Sequence, residues 1–226
     1  MSPYLGLVLA YLAGSIPAAY IAGRVTKGID LRQHGSGNLG ATNVYRVLGA
    51  KIAVAVLLFD AAKGAMPVLY FPRLLDPATI GTNSMAWWSI AFGVAAIAGH
   101  VRPVFLLWKG GGKGVATASG VFGALAPAAI GVTLVVWFLV LVVSGYMSLA
   151  SLAGAAVLPV AIAVLRGVRS PLFVVSIAIA AFVFWTHRAN IGRLRRGEEP
   201  RFGRKSPPPT PTDAPDGFAP DGAPKV

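Results

Sequence analysis

Apolar runs of membrane-spanning length recur along this chain from Tyr4 to Trp185, and they constrain the fold more than any other feature. A bilayer core about 30 Å thick needs about 20 apolar residues per helix, and inside it every backbone N–H and C=O must find a partner within the protein. Helices satisfy that rule within one segment, so an all-α integral membrane protein is expected. The runs fall near residues 4–23, 52–72, 86–101, 115–126, 128–143, 145–165 and 171–187. Residues 115–143 form one apolar stretch interrupted by Gly120, Gly123 and Pro127, which reads either as one long tilted helix or as two short ones.

Charge decides between these readings. The chain carries 20 Lys and Arg against 8 Asp and Glu, a formal net charge of +12. The cations cluster between apolar runs, as the positive-inside rule describes for cytoplasmic loops, so no nucleic-acid partner is expected. Residues 24–51 hold Arg24, Lys27, Arg32, Arg46 and Lys51; residues 102–113 hold Arg102, Lys109 and Lys113; the stretch from Arg188 to Lys205 holds seven more. Only Arg73, Arg166 and Arg169 lie in the intervening loops. An even number of spans must separate two loops on one side, which favours splitting residues 115–143. The expectation is a seven-transmembrane-helix bundle with its N-terminus outside and its C-terminus cytoplasmic.

The N-terminus lacks the basic region of a secretory signal and should be retained as the first span. Residues 1–205 then form a single transmembrane domain. Residues 206–226, rich in Pro, Gly and Asp, have too little apolar content to fold and should be a disordered tail. With no cysteine, thiolate nucleophiles, disulfides and Cys-ligated metals are excluded. No His/carboxylate set has metal-ligand spacing either, so neither metal nor cofactor is expected. Asp60 and Lys63 sit three residues apart within the second run and face each other on a helix. Such a pair either neutralises itself within the bundle or supports a site.

Three polar clusters fall on the three basic segments. In the first, Ser36, Gly37, Asn38 and Gly40 lead into a helix-compatible stretch from Ala41, with Thr42, Asn43 and Arg46 on one face. A glycine-rich turn entering a helix presents open N–H groups that suit a phosphate. In the second, Gly110, Gly111 and Gly112 lie between Lys109 and Lys113, with Gly114 following. This glycine run allows backbone amides to approach an anion closely, although it is not a Walker A loop, because no Ser or Thr follows Lys113. In the third, His187 and Asn190 are one helical turn apart. No histidine has an Asp five residues on, which argues against acyltransferases built on an H-x4-D dyad.

The ordered motifs are similar to the three signatures of the PlsY-type family of bacterial integral-membrane glycerol-3-phosphate acyltransferases. S-G-N-x-G-x-T-N-x-x-R is matched by Ser36 through Arg46, and G-H-x-x-P-x-F with K-G-G-K-G-V-A-T by Gly99 through Thr117. H-R-x-N-I-x-R-L-x-x-G-x-E is matched by His187 through Glu199, and Tyr146, Ser148, Leu149 and Ser151 resemble a further Y-x-S-L-x-S segment. The departure is a third glycine between the lysines. The resemblance implies seven transmembrane helices in the bacterial inner membrane and a site at the cytoplasmic face. It also implies transfer of a fatty acyl group from acyl-phosphate to the sn-1 hydroxyl of glycerol 3-phosphate, giving lysophosphatidate and phosphate.

On this reading Ser36, Arg46, Lys113, His187 and Asn190 form the catalytic centre. Arg46 and Lys113 would hold phosphate, and Ser36 and Asn190 would donate hydrogen bonds. Asn38, Gly40, Thr42, Asn43, Lys109, Gly110, Gly111, Gly112, Gly114, Ser148, Ser151 and Glu199 would bind glycerol 3-phosphate or wall its pocket. His187 is either the general base or a phosphate ligand, and substrate assistance, in which a substrate phosphate takes the hydroxyl proton, is favoured over the base. Ser36 as an acyl-accepting nucleophile is disfavoured because no base lies near it in sequence. The rival from another class is an anion or phosphate-ester transporter, but the three motifs do not resemble one another as inverted repeats would.

Overall fold

The computed structural model describes residues 1–76 and 85–203. The tail at 206–226 lies outside the described residues. Ten α-helices occur among those described: α1 (Pro3–Ser15), α2 (Ala18–Lys27), α3 (Ala41–Leu48), α4 (Ala50–Tyr70), α5 (Met85–Val101), α6 (Val115–Leu125), α7 (Pro127–Ser144), α8 (Met147–Arg166), α9 (Pro171–Thr186) and α10 (Arg188–Arg196).

Five segments are long and apolar enough to cross a bilayer: Pro3–Lys27, Ala50–Leu74, Met85–Leu106, Pro127–Ser144 and Met147–Arg166. The pair α9 and α10, bent by 58°, makes a sixth if it counts as one span. The short apolar α6 has 11 residues, about 16 Å of helix, against the roughly 20 residues of an ordinary span. Each of the seven apolar runs is therefore helical, while length and composition support five or six as spans. The stretch 115–143 is split into two helices, as the charge argument favours, although the first of them is shorter than the span that argument counts. Ala126 leaves helical geometry at φ −147°, and Pro127, which cannot donate to the preceding turn, opens α7.

Apolar side chains such as Val143 and Val164 are 87% and 78% exposed on the flanks, a belt suited to lipid rather than water. Between helices, glycines let backbones touch, which is how bundles pack where lipid removes the hydrophobic drive. A Cβ on Gly14 would stand 2.0 Å from the Ala96 carbonyl oxygen, and one on Gly99 would stand 2.2 Å from that of Tyr11, so α1 and α5 interlock reciprocally. α4 and α6 do the same: a Cβ on Gly64 would stand 2.3 Å from the Thr117 carbonyl oxygen, and one on Gly120 would stand 1.9 Å from that of Ala61. α7 packs along α8, and α8 along α9. Phe122, Ala126, Ala129, Ile130, Leu158, Ala161 and Ile162 form the core there.

The polar end is a second, smaller structure built on the bundle. Leu31, Leu39 and Val44 are buried with Ala19, Ala53 and Val56, fastening the loop after α2 and helix α3 to the ends of α2 and α4. All three basic segments meet here. Asn38 Nδ2 donates to the Gly111 carbonyl at 3.3 Å, and the Leu39 N–H donates to the same oxygen at 3.2 Å. The Phe202 N–H donates to the Gly145 carbonyl at 2.7 Å, while the Phe202 ring stacks on Tyr45 at 4.6 Å. The chain after α10 thus straps across the polar end, from α3 to the α7–α8 turn.

Candidate active site

A cavity of about 530 Å³ opens at this end and runs down between α4, α7, α8 and α9. All five residues expected at the catalytic centre line it: Ser36, Arg46, Lys113, His187 and Asn190. So do Asn38, Gly40, Thr42, Asn43, Gly114, Ser148, Ser151 and Glu199. Its deeper walls are apolar, with Leu134 and Trp137 from α7, Leu158 from α8 and Ile179 from α9. Leu57, Leu58 and Leu134 line it while being 43%, 64% and 47% exposed, so this end opens through the flank of the bundle.

The first polar segment is shaped by Asn43. Its Oδ1 accepts the Ser36 N–H at 2.8 Å, and its Nδ2 donates to the carbonyls of His34 and Leu31 at 3.0 and 3.3 Å. Asn43 is 1% exposed and holds the loop rather than offering itself to a ligand. Gly35, at φ +63°, makes room for it, since a Cβ there would stand 2.2 Å from Asn43 Oδ1. Asn43 thereby presents Ser36, whose hydroxyl has no partner among the described residues. Arg46 follows one turn later. Its guanidinium forms no hydrogen bond or ion pair with a described residue, and burial, outweighing the pull of Glu199, lowers its pKa, with Arg193 adding to the effect. A half-buried cation without a partner is an anion site in waiting.

On the opposite wall a chain of polar groups runs from Lys113 to Arg193. Lys113 Nζ donates to Asn190 Oδ1. Asn190 Nδ2 donates to Glu199 Oε1 at 2.6 Å, and Arg193 Nε donates to Glu199 Oε2 at 2.7 Å. Burial pushes the Lys113 ammonium down to about 8; Glu199 pulls it up, while Arg193 and Arg46 press it down. Burial would raise the Glu199 carboxyl, but the hydrogen bonds from Asn190 and Arg193 outweigh it and hold the group below its ordinary range. Asn190, expected to donate directly to substrate, has its carboxamide engaged on both sides, so it acts first by fixing Lys113.

His187 ends α9 and is 3% exposed. Its Nδ1 lies 2.8 Å from the Val183 carbonyl oxygen. A carbonyl only accepts, so Nδ1 carries the proton and the neutral ring presents Nε2 as an acceptor.

The glycine loop sits differently from the expectation. Lys109 and Gly110 are exposed, while Gly111 and Gly112 face a separate, smaller cavity behind the loop, so none of the four lines the large one. Each glycine has its own requirement. Gly110 is at φ +87°; a Cβ on Gly111 would stand 2.2 Å from the Val101 carbonyl oxygen; one on Gly112 would stand 1.9 Å from His100 Nε2. The loop therefore packs on the last turn of α5 and delivers Lys113 and Gly114 to the cavity. The N–H groups of Gly110, Gly111 and Lys113 have no partner among the described residues.

Of the other cavity-lining groups, Asp60 is the one that the sequence offers with Lys63 as a neutral pair or a support for the site, and His100 is the one that sequence reasoning passes over. The signal for His100 was its place in the Gly99–His100 pair of the second motif. Arg193, which buttresses Glu199, stands in the sequence reading only as one of the cations of the third basic segment.

The profile of the glycerol-3-phosphate acyltransferase family matches residues 4–197. A glycerol-3-phosphate acyltransferase of Anaeromyxobacter dehalogenans (strain 2CP-C) is 46% identical over 203 residues, covering 88% of this chain and 98% of its own. One of Synechococcus sp. (strain CC9902) is 44% identical over 205 residues, covering 91% and 98%. The fold is similar to the crystal structure of PlsY, an integral membrane glycerol 3-phosphate acyltransferase, in its glycerol 3-phosphate form. The TM-score is 0.80 at 38% identity, over 90% of this chain and 96% of that one. The lysophosphatidic acid form of the same protein gives 0.77 at 37% identity. Residues 4–197, with every catalytic candidate inside them, place this chain in the glycerol-3-phosphate acyltransferase family.

Proposed function

We propose that this protein is a multi-pass enzyme of the bacterial inner membrane that transfers a fatty acyl group from acyl-phosphate to the sn-1 hydroxyl of glycerol 3-phosphate. The products are lysophosphatidate and inorganic phosphate, on the route to membrane phospholipid. The observation that carries this reading is the cavity's division into a cationic end, holding Arg46 and Lys113, and an apolar channel open through the bundle flank. A donor with a phosphate head and a hydrocarbon tail fits that division, and an acceptor bearing only a phosphate fits the polar end. Seven helices, an external N-terminus and a cytoplasmic site complete the reading, supported by the grouping of the three basic segments at one end.

Catalysis on this scheme rests on positioning and charge. Lys113, delivered by the glycine loop, holds the acceptor phosphate, and Arg46 with Ser36 holds the donor phosphate. The sn-1 oxygen attacks the acyl carbon, the bond from that carbon to the phosphate oxygen breaks, and the electron pair leaves with phosphate. His187 Nε2 accepts a hydrogen bond from the sn-2 hydroxyl of the acceptor and so orients it, leaving the sn-1 proton directed at the donor phosphate. The departing phosphate takes the proton, so the residues end as they began.

The relatives lend nothing to the transporter alternative. Purified protein in detergent is expected to release phosphate from acyl-phosphate only when glycerol 3-phosphate is added. Release independent of glycerol 3-phosphate, or no release with both present, would overturn the assignment.

A further inference from the structure

Asp60, Lys63 and His100 form a buried charged cluster behind the catalytic loop. Asp60 is 2% exposed, and the side chains of Lys63 and His100 are each 5% exposed. Lys63 Nζ lies 2.7 Å from Asp60 Oδ1 and donates to the Ile16 carbonyl at 2.9 Å. That carbonyl is at the break between α1 and α2, where Pro17 brings no N–H. Two of the three Lys63 donors are thus engaged, by one carboxylate and by a carbonyl that also accepts the Ala18 N–H at 3.1 Å.

His100 is held differently. Its Nδ1 lies 3.5 Å from the same Asp60 oxygen, while the opposite ring edge, Nε2, presses on the backbone of Gly112. The Gly112 N–H donates to the His100 carbonyl at 3.3 Å, so ring and backbone of one residue grip one glycine. The space left among Asp60, Lys63, His100, Gly111 and Gly112 is about 10 Å³, room for no more than one water. On its other side the same loop is held by Asn38 and Leu39 through Gly111. A buried ion pair is weak evidence for stability alone, because well-packed apolar residues often serve as well. Its position against the loop that delivers Lys113 gives it another use.

We infer that Asp60 and His100 are positioning residues for acceptor binding: Asp60 sets the His100 ring, the ring sets Gly112, and Gly112 sets the adjoining Lys113. This rests on the reading that Lys113 holds the phosphate of glycerol 3-phosphate. Because the ring stops where a Cβ on Gly112 would begin, the two positions must be coupled.

Steady-state kinetics on the full chain in detergent, varying each substrate in turn, tests this with His100→Ala, Gly112→Ala, the double variant and Lys113→Met. His100→Ala is expected to raise the KM for glycerol 3-phosphate about tenfold or more while leaving that for acyl-phosphate within about threefold. Gly112→Ala should do the same. The double variant should be no worse than His100→Ala, because removing the ring removes the collision. His100→Gln, which keeps a polar group of similar reach, should recover part of the loss. Unchanged KM values with only a lower Tm, a rise in both KM values alike, or multiplying effects in the double variant would overturn the inference. So would failure of both His100 variants to yield monodisperse protein, which would make the cluster a structural brace. If Lys113→Met leaves the glycerol 3-phosphate KM unchanged, the reading of the loop itself fails. If it raises that KM and the His100 variants do not, only the positioning role fails.

Discussion

Lys113 is brought by its surroundings within reach of titration near physiological pH while staying mainly protonated below it. Burial brings its pKa to about 8, with Arg46 and Arg193 pressing it further down against the pull of Glu199. Below that pH the ammonium is present and can bind phosphate; above it the proton is lost and with it the attraction. The kcat/KM for glycerol 3-phosphate is thus expected to fall as pH rises through about 8. Lys113→Arg should flatten that alkaline limb, whatever it does to the absolute rate, because a guanidinium stays charged across the range. A limb that survives Lys113→Arg would assign the titration to another group. The identity of Lys113 was legible in the sequence, from its place after three glycines. Its weakened basicity was not, because that comes first from burial in the folded site and then from Arg193 and Arg46, 80 and 67 residues away along the chain, acting against Glu199.

Among the helices, the sequence marked positions without saying which mattered. Gly120 and Gly123 both read as interruptions of one apolar stretch. In the folded bundle they differ: a Cβ on Gly120 would stand 1.9 Å from the Ala61 carbonyl oxygen, whereas one on Gly123 would meet nothing within 4 Å. Gly120→Ala should therefore push α6 off α4 and cost about 1–3 kcal/mol, read as a lower Tm in detergent. Gly123→Ala should be neutral or gain about 0.4–1 kcal/mol from the lost freedom of the unfolded chain. The break that mattered for topology was Pro127, readable because proline cannot extend a helix. The 58° bend at His187 was not readable, since the stretch from Thr186 to Asn190 contains neither glycine nor proline.

For the molecule as a whole, the absence of cysteine makes the proposed orientation directly testable, because any introduced thiol is the sole target. Arg195→Cys is expected to resist a membrane-impermeant maleimide in intact cells and to react once the membrane is opened. Arg166→Cys, at the far end of α8, should react in intact cells. The reverse pattern would invert the proposed topology. Clustering of lysine and arginine made the grouping of the three polar segments legible, and the bonds from Asn38 to Gly111 and from Lys113 to Asn190 show how closely they join. The cavity itself was not legible, since its apolar walls come from helices whose residues read in sequence only as lipid-compatible.

The exposure of Leu57, Leu58 and Leu134 along the cavity mouth has a kinetic consequence. On the proposed reading, a donor entering through that flank never leaves the bilayer, so its encounter with the enzyme is a search in two dimensions. Its supply is then set by its mole fraction among neighbouring lipids, and the acceptor's by its concentration in water. Diluting the donor with inert lipid would slow the enzyme even at constant bulk amounts, while the long-tailed product is discharged directly into the membrane it helps to build.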